Sequence, residues 1–144
     1  MRTRKEMSDV GARWDQMPTL VDLRNRLAPG TLIVGNGDVV SKPHGLELAE
    51  RYSMDGVMIG RGIFKDPYAF ADLSPWQGKT AAERIKLYAT HVERFAAQYT
   101  DGQRSPQTLK RFCKVYINGF DNASDLREKI MQCNTANEIL NLLN

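Results

Sequence analysis

The sequence predicts an α/β segment followed by an all-α segment. Up to about residue 75, helical patterns alternate with short apolar runs that are typical of buried parallel strands. A glycine turn follows each of these runs directly. Beyond that point every apolar pattern has the period of a helix. We therefore expect two domains, covering residues 1–75 and 76–144.

The first segment has the order helix, strand, helix, strand. Over residues 13–28, apolar side chains recur every three or four positions, which predicts a helix. The apolar run Thr31–Val34 predicts a strand. Ser41 is typical of an N-cap and opens a second helix, in which Leu46 is expected to point inward. Gly56–Ile59 predicts the second strand, so the segment has the rhythm of a parallel α/β protein.

The predicted sheet is incomplete. Two parallel strands do not make a stable sheet, because both faces need cover. A full β/α barrel has about 250 residues, whereas this sequence has 144. We expect the chain to be a fragment, or to borrow strands from another copy or a partner. Exposed strand edges predict either self-association or a disordered N-terminal half.

The second segment predicts a small bundle of four helices. Thr80–Glu83 fits a capping box at the start of the first helix. Ser105 opens the second helix, and Asn122 or Ser124 caps the third. Thr135–Glu138 fits another capping box and opens the last. Each helix carries an apolar stripe, which favours packing into a bundle.

Composition and charge limit the classes of protein to which this sequence could belong. The net charge is +3, a mildly basic value that decides little by itself. No apolar run reaches about 18 residues and no signal peptide is visible, so we expect no membrane span. Cys113 and Cys133 fit no metal or redox spacing. They predict core thiols in a reducing cytoplasm, and the sequence predicts no metal site.

The most informative features are two glycine turns, Gly35–Asp38 and Gly60–Gly62, each directly after a predicted strand. Ligands of α/β proteins bind at the carboxyl ends of strands. Glycine lets the backbone approach a ligand and direct N–H groups at an anion. Each turn alone is equally compatible with a simple tight turn. The pair, with Arg61 between two glycines, favours a phosphate site.

The segments Ile33–Val39, Asp55–Phe64 and Pro67–Phe70 resemble the FMN-phosphate half of the tRNA-dihydrouridine synthases. The tail Leu109–Leu143 is similar to the C-terminal helical domain of that family, so the resemblance covers essentially the whole chain. It implies the last two β/α units of a TIM-type FMN-binding barrel, followed by a helical RNA-binding domain. The implied activity is reduction of uridine to dihydrouridine in tRNA, with FMN as cofactor and NADPH as reductant.

The resemblance also implies residue roles on the two turns. The implied cofactor-binding residues are Asn36, Gly37, Asp38, Gly60 and Arg61. The family's catalytic cysteine belongs to earlier strands, so we expect no catalytic residue here and no activity from the chain alone. Cys113 lies on an apolar helical face, and His44 and His91 are poor catalytic candidates.

A run of cations gives the second functional indication. From Arg104 to Lys114 the sequence has four cations and no acid. Charge alone favours an ordinary solvated helix face, whereas the resemblance favours contacts with tRNA phosphates. The RNA-binding residues that it implies are Arg2, Arg4, Arg104, Lys110, Arg111 and Lys114. Two alternatives stay open: an RNA-binding fragment without catalysis, and a fragment of another FMN-barrel oxidoreductase that acts on a small molecule.

Overall fold

The computed structural model of the chain describes residues 9–100 and 104–144. In these residues it contains six α-helices, two short β-strands and three 3₁₀ turns. The chain divides into two compact units, Met1–Trp76 and Gln77–Asn144. No helix of the described ranges is long and apolar enough to cross a membrane.

The first unit alternates helix and strand. α1 spans Met17–Leu27, β1 spans Val34–Asn36, α2 spans Lys42–Arg51 and β2 spans Gly56–Met58. The strands pair in parallel, with the first residue of β1 opposite the first residue of β2. The predicted mixed α/β order and the parallel pairing are therefore confirmed.

β1 begins three residues later than predicted. Leu32 is 73% exposed, so the run before Val34 is not a buried strand. The Asp55 carboxylate instead accepts the Ile33 N–H at 2.7 Å and the Arg24 guanidinium at 2.7 Å. The Ile33 carbonyl oxygen also accepts the Asp55 N–H at 3.0 Å, so side-chain and backbone bonds together hold the segment before β1. The Ile33 N–H and then Arg24 lower the pKa of the Asp55 carboxyl.

α2 begins as predicted but turns a different face inward. The Ser41 hydroxyl accepts the backbone N–H of the third helical residue at 3.3 Å. Leu46 is 57% exposed, contrary to the prediction, whereas Gly45 and Leu48 are buried. A Cβ at position 45 would lie 2.5 Å from Val57 Cγ2. The helix backbone packs directly on β2 through this glycine, and that close contact selects the inward face.

The core of the first unit is small. Its buried residues are Val21, Val39, Leu48 and Met54. In the same unit, Leu27 is 75% exposed and Leu73 is 88% exposed. Self-association was predicted from the exposed edges of the two strands, and it stays a prediction.

The second unit consists of helices, as predicted. α3 spans Ala81–Gln98, α4 spans Gln107–Tyr116, α5 spans Ala123–Gln132 and α6 spans Ala136–Leu143. All four helices contribute to one apolar cluster. Its most deeply buried members are Tyr88, Val92, Leu109, Ile117, Ile130 and Ile139. Both cysteines are also buried in this cluster, as the sequence predicted.

The two capping boxes differ in detail. The Thr80 hydroxyl accepts the Glu83 N–H at 3.3 Å, and the Glu83 carboxylate accepts the Thr80 N–H at 2.8 Å, which completes the predicted box. Thr135 likewise accepts the Glu138 N–H at 3.1 Å. The Glu138 carboxylate, however, accepts the N–H of Asn134 at 2.7 Å instead of the N-cap N–H. Both arrangements occupy donors at the start of a helix that would otherwise lack partners.

Candidate phosphate-binding site

A cavity of about 700 Å³ lies at the carboxyl ends of β1 and β2. Ligands of parallel α/β folds bind at this edge, and the volume is within the range of small-molecule sites. Its polar lining comes from both glycine turns and the residues after them: Asn36, Gly37, Asp38, Gly60, Arg61 and Lys65. The structure therefore brings the two predicted turns together around one cavity.

The turn after β1 depends on left-handed backbone. Gly37 has a φ of 137° and Asp38 has a φ of 55°. Glycine adopts such angles without steric cost, and aspartate is among the few other residues that tolerate the left-handed region. The two positive φ angles turn the chain sharply beyond the strand, where Asp38 meets the second turn.

The turn after β2 packs against the first turn through Gly62. A Cβ at this position would lie 2.7 Å from the carbonyl oxygen of Val39, so a side chain there would push the two turns apart. A Cβ at Gly60 would meet nothing closer than the Met58 sulfur at 3.7 Å. Gly62 thus closes the contact between the turns, and Gly60 leaves its part of the cavity wall open to a ligand.

A carboxylate links the two turns. Arg61 Nη2 donates to Asp38 Oδ1 at 3.0 Å. The second oxygen, Asp38 Oδ2, accepts the backbone N–H of Ala12 at 2.8 Å. Ala12 directly follows Val10 and Gly11, which also line the cavity. Asp38 therefore connects the Arg61 side of the cavity to the segment before α1.

Lys65 is a cavity residue that the sequence analysis missed. It lies four positions after Arg61, directly after the 3₁₀ turn Arg61–Phe64, and its side chain lines the same cavity. Among the described residues its ammonium forms no salt bridge. A tight turn after the strand returns the chain to the same side, so the spacing from Arg61 could have identified it.

The residues present fit a phosphomonoester. Arg61 supplies a fork of N–H donors and Lys65 supplies a compact positive charge. The glycine turns let the backbone approach a ligand closely. The carboxylate of Asp38 is already paired with Arg61, which offsets its charge. Apolar side chains complete the lining, among them Val40 and Met58, as in most sites for organic ligands.

The fold exposes three of the four cations between Arg104 and Lys114 and buries the fourth. Arg104, Arg111 and Lys114 are exposed. Lys110 is only 5% exposed, and its ammonium donates to the carbonyl oxygen of Met131 at 2.7 Å, near the end of α5. Lys110 therefore does not lie on the exposed basic face that the sequence predicted. A cation at the C-terminal end of a helix binds carbonyl groups that lack helical partners.

The remaining candidate residues either pack within the second unit or lie outside the described residues. Burial raises the pKa of the Cys113 thiol, which keeps it protonated and unreactive. Burial lowers the pKa of His91, whose Nδ1 lies 3.4 Å from the Tyr116 hydroxyl. Arg2 and Arg4 lie outside the described residues. Within residues 9–100 and 104–144, no group of three or more histidine, cysteine, aspartate or glutamate side chains could hold a metal ion.

Comparison with known proteins identifies the family. The family model described as Dihydrouridine synthase (Dus) matches residues 1–144. The chain is 43% identical, over 143 residues, to a Staphylococcus aureus protein named "Probable tRNA-dihydrouridine synthase". It is 41% identical to a protein of the same name from Staphylococcus epidermidis, and 40% identical to "Probable tRNA-dihydrouridine synthase 2" of Bacillus subtilis. Each comparison covers 99% of this chain and 43% of the relative, so the chain spans less than half the length of these proteins. The match along the whole sequence shows that the chain belongs to the dihydrouridine synthase family.

Proposed function

We propose that the chain forms the FMN-phosphate side and part of the tRNA-binding surface of a tRNA-dihydrouridine synthase. The observation that carries this proposal is the cavity at the carboxyl ends of β1 and β2, lined by both glycine turns and by Arg61 and Lys65. Membership of the family and the printed names of the relatives support the reaction class and the substrate.

In this proposal, β1 and β2 are the last two strands of a TIM-type barrel, within residues 1–75. Phosphate sites in such barrels commonly form from the loops after the last two strands. The exposed strand residues Val34 and Met58 are consistent with strands that other parts of a barrel would cover. Residues 76–144 would be the RNA-binding domain.

The proposed cofactor contacts divide between the two turns. Arg61 donates N–H groups to the phosphate, and Lys65 adds a second positive charge. Gly37, Gly60 and Asn36 all line the cavity. In this proposal the backbone N–H groups of the two glycines bind the anion, and the Asn36 amide binds ribityl hydroxyls. When bound, FMN reduced by NADPH supplies the hydride that saturates the C5–C6 bond of a uridine.

The residues of this chain bind and orient rather than transfer protons to the base. Cys113 and Cys133 are both buried in the core of the second unit, and burial raises the pKa of each thiol. Neither is suited to donate a proton to a uracil ring. We therefore expect that the chain alone does not turn over substrate, and that the family's proton-donating cysteine lies in a region without counterpart here.

The proposed tRNA contacts of the second unit are its exposed cations, Arg104, Arg111 and Lys114. Such side chains neutralise phosphates without reading bases. Their contribution weakens at high salt, because the release of counterions from the RNA is then less favourable. The target base has to leave its stack to reach a flavin, so tight backbone contacts help to offset that cost.

Two titrations test the proposal. We expect the chain to bind FMN about tenfold or more tightly than riboflavin, since only FMN carries the phosphate. Arg61→Ala should reduce that preference, whereas Arg51→Ala, which removes an exposed arginine outside the cavity, should keep it. Equal affinity for the two flavins would refute the phosphate site.

The second titration uses unmodified tRNA at two salt concentrations. We expect affinity to fall with salt, and Arg111→Ala to weaken binding and flatten the salt dependence. Salt-sensitive tRNA binding without flavin binding would favour an RNA-binding fragment without a cofactor site. Flavin binding without tRNA binding at low salt would refute the RNA-binding assignment of residues 76–144.

A further inference from the structure

Asp38 presents a conflict at the proposed phosphate site. Its carboxylate is an anion that lines a cavity suited to another anion. A carboxylate in direct contact with a phosphate would repel it, so proximity to the cavity does not make Asp38 a favourable ligand. The contacts that Asp38 makes within the protein indicate another role.

Both oxygens of Asp38 accept hydrogen bonds within the protein. Oδ1 accepts Arg61 Nη2 at 3.0 Å, and Oδ2 accepts the Ala12 N–H at 2.8 Å. The two partners are 23 and 26 residues away along the chain. One side chain thus fixes the position of a proposed phosphate ligand and of the segment that contains Val10 and Gly11.

The pair is too exposed to serve chiefly as a source of stability. The Arg61 and Asp38 side chains are 60% and 40% exposed. Ion pairs at this level of exposure contribute little to folding, because water and salt screen them. Orientation is the larger effect, since a guanidinium is planar and a bond to one of its nitrogens restricts the plane of the others.

We propose that Asp38 is a positioning residue for phosphate binding and not a cofactor contact. Its carboxylate sets the plane of the Arg61 guanidinium and holds Val10–Ala12 against the turn after β1. Asp38 has a left-handed backbone, and its carboxylate lies between these two partners. This inference rests on the proposed function, because it assigns a role within the same FMN-phosphate site.

The two roles for Asp38 predict opposite results when Arg61 is absent. A direct contact would be lost on substitution of Asp38 whether or not Arg61 is present. A positioning residue acts on the phosphate through Arg61, so substitution in an Arg61→Ala background should leave FMN affinity nearly unchanged or improve it. The improvement would come from removing a negative charge near the phosphate.

The experiment is a double-mutant cycle on the full chain with Asp38→Asn, Arg61→Ala and the double variant. Asparagine tolerates left-handed backbone and keeps the size of the side chain, but it has one neutral acceptor oxygen in place of two charged ones, so it cannot keep the bonds to Arg61 and Ala12 at full strength. Asp72→Asn is the matched control, because Asp72 pairs with Lys42 at 2.7 Å and does not line the cavity. The measurements are the dissociation constants for FMN and riboflavin, and the hydrogen exchange of the Ala12 amide by NMR.

We expect Asp38→Asn to weaken FMN binding about tenfold, or about 1.4 kcal/mol, and riboflavin binding by less than about twofold. The hydrogen exchange of the Ala12 amide should become faster. In the Arg61→Ala background, Asp38→Asn should alter FMN affinity by less than about twofold. Asp72→Asn should match the unsubstituted chain in both measurements.

Three outcomes would overturn the proposal. A loss of FMN affinity that is equally large with and without Arg61 would make Asp38 a direct contact. Unchanged FMN affinity and unchanged Ala12 exchange in Asp38→Asn would remove its role and leave the proposed cofactor site intact. No preference of the unsubstituted chain for FMN over riboflavin would refute the proposed phosphate site, and the positioning role with it.

Discussion

The two units of the chain differ in how completely they bury their apolar residues. The second unit has a core with several side chains of 0% exposure, including Val92 and Ile130. The first unit leaves large apolar side chains exposed, such as Leu32 at 73% and Leu73 at 88%. The second unit is thus held mainly by its own core, whereas the first depends more on close backbone contacts. The candidate cofactor site lies in the unit with the smaller core.

The largest expected effect is in the second unit. Ile130→Ala should lower the free energy of unfolding by about 3 kcal/mol, because a fully buried side chain leaves a cavity. The neighbouring Met131 is 55% exposed, so Met131→Ala should change stability by less than about 0.5 kcal/mol. Urea unfolding of both variants checks this, and equal losses would contradict the core described for this unit.

The next largest effect tests the backbone contacts of the first unit. Gly62→Ala should destabilise this unit by about 2 kcal/mol, because its Cβ would lie 2.7 Å from the Val39 carbonyl oxygen. Gly60→Ala is the control, since its nearest neighbour lies at 3.7 Å. NMR signals of the first unit, followed through urea unfolding, measure both. A Gly62→Ala chain as stable as Gly60→Ala would mean that the turns do not pack as described.

A third comparison separates stability from tRNA binding within α4. Lys110→Met keeps the alkyl chain but removes the bond to the Met131 carbonyl, and should cost about 1 kcal/mol without changing tRNA affinity. Lys114→Met should leave stability unchanged and reduce the slope of log affinity against log salt by about 0.8. Urea unfolding and tRNA titration measure the two effects. A lower tRNA affinity for Lys110→Met, with no change for Lys114→Met, would contradict this assignment.

The smallest effect is a difference in acid sensitivity. His91 is kept neutral by burial, which lowers its pKa, so the unfolded chain takes up a proton at higher pH than the folded chain. The second unit should therefore lose stability as the pH falls below about 6.5. Asp55 has a lowered pKa, so its contribution to the first unit is kept until the pH falls below about 4.

Thermal unfolding at pH 7 and pH 5.5, followed by NMR signals from each unit, measures this difference. His91→Gln should remove the loss in the second unit over this range, because glutamine does not titrate. A first unit that weakens as much as the second between these pH values would contradict the assignment of the two groups.

Local patterns predicted the helices well, because the interactions that start a helix lie within one turn of chain. Thr80 and Glu83 form the expected capping box, and Ser41 caps α2. The start of β1 and the inward face of α2 were not predictable in this way. They depend on Asp55 and on Val57, which lie far along the sequence from the residues that they contact.

In the candidate site too, features that depend on neighbouring residues were predictable and features that depend on distant residues were not. The two glycine turns were identifiable because each follows an apolar strand directly. The bond from Ala12 to Asp38 joins residues 26 positions apart, and no sequence period indicates it. Lys110 shows an error of the opposite kind. The run of cations predicted one exposed basic face, but the fold buries Lys110. Local chemistry predicts which residue types are available, and tertiary packing decides which of them face a ligand.

The burial of Lys110 gives the second unit a built-in chemical reporter. Amine-reactive reagents acetylate lysines that solvent reaches, so Lys110 should be modified only when the helices separate. Lys114, one helical turn later, is exposed and should react at once unless tRNA covers it. The labelling rates of these two lysines, read by mass spectrometry from a single digest, would therefore report opening of the bundle and occupancy of its basic face separately.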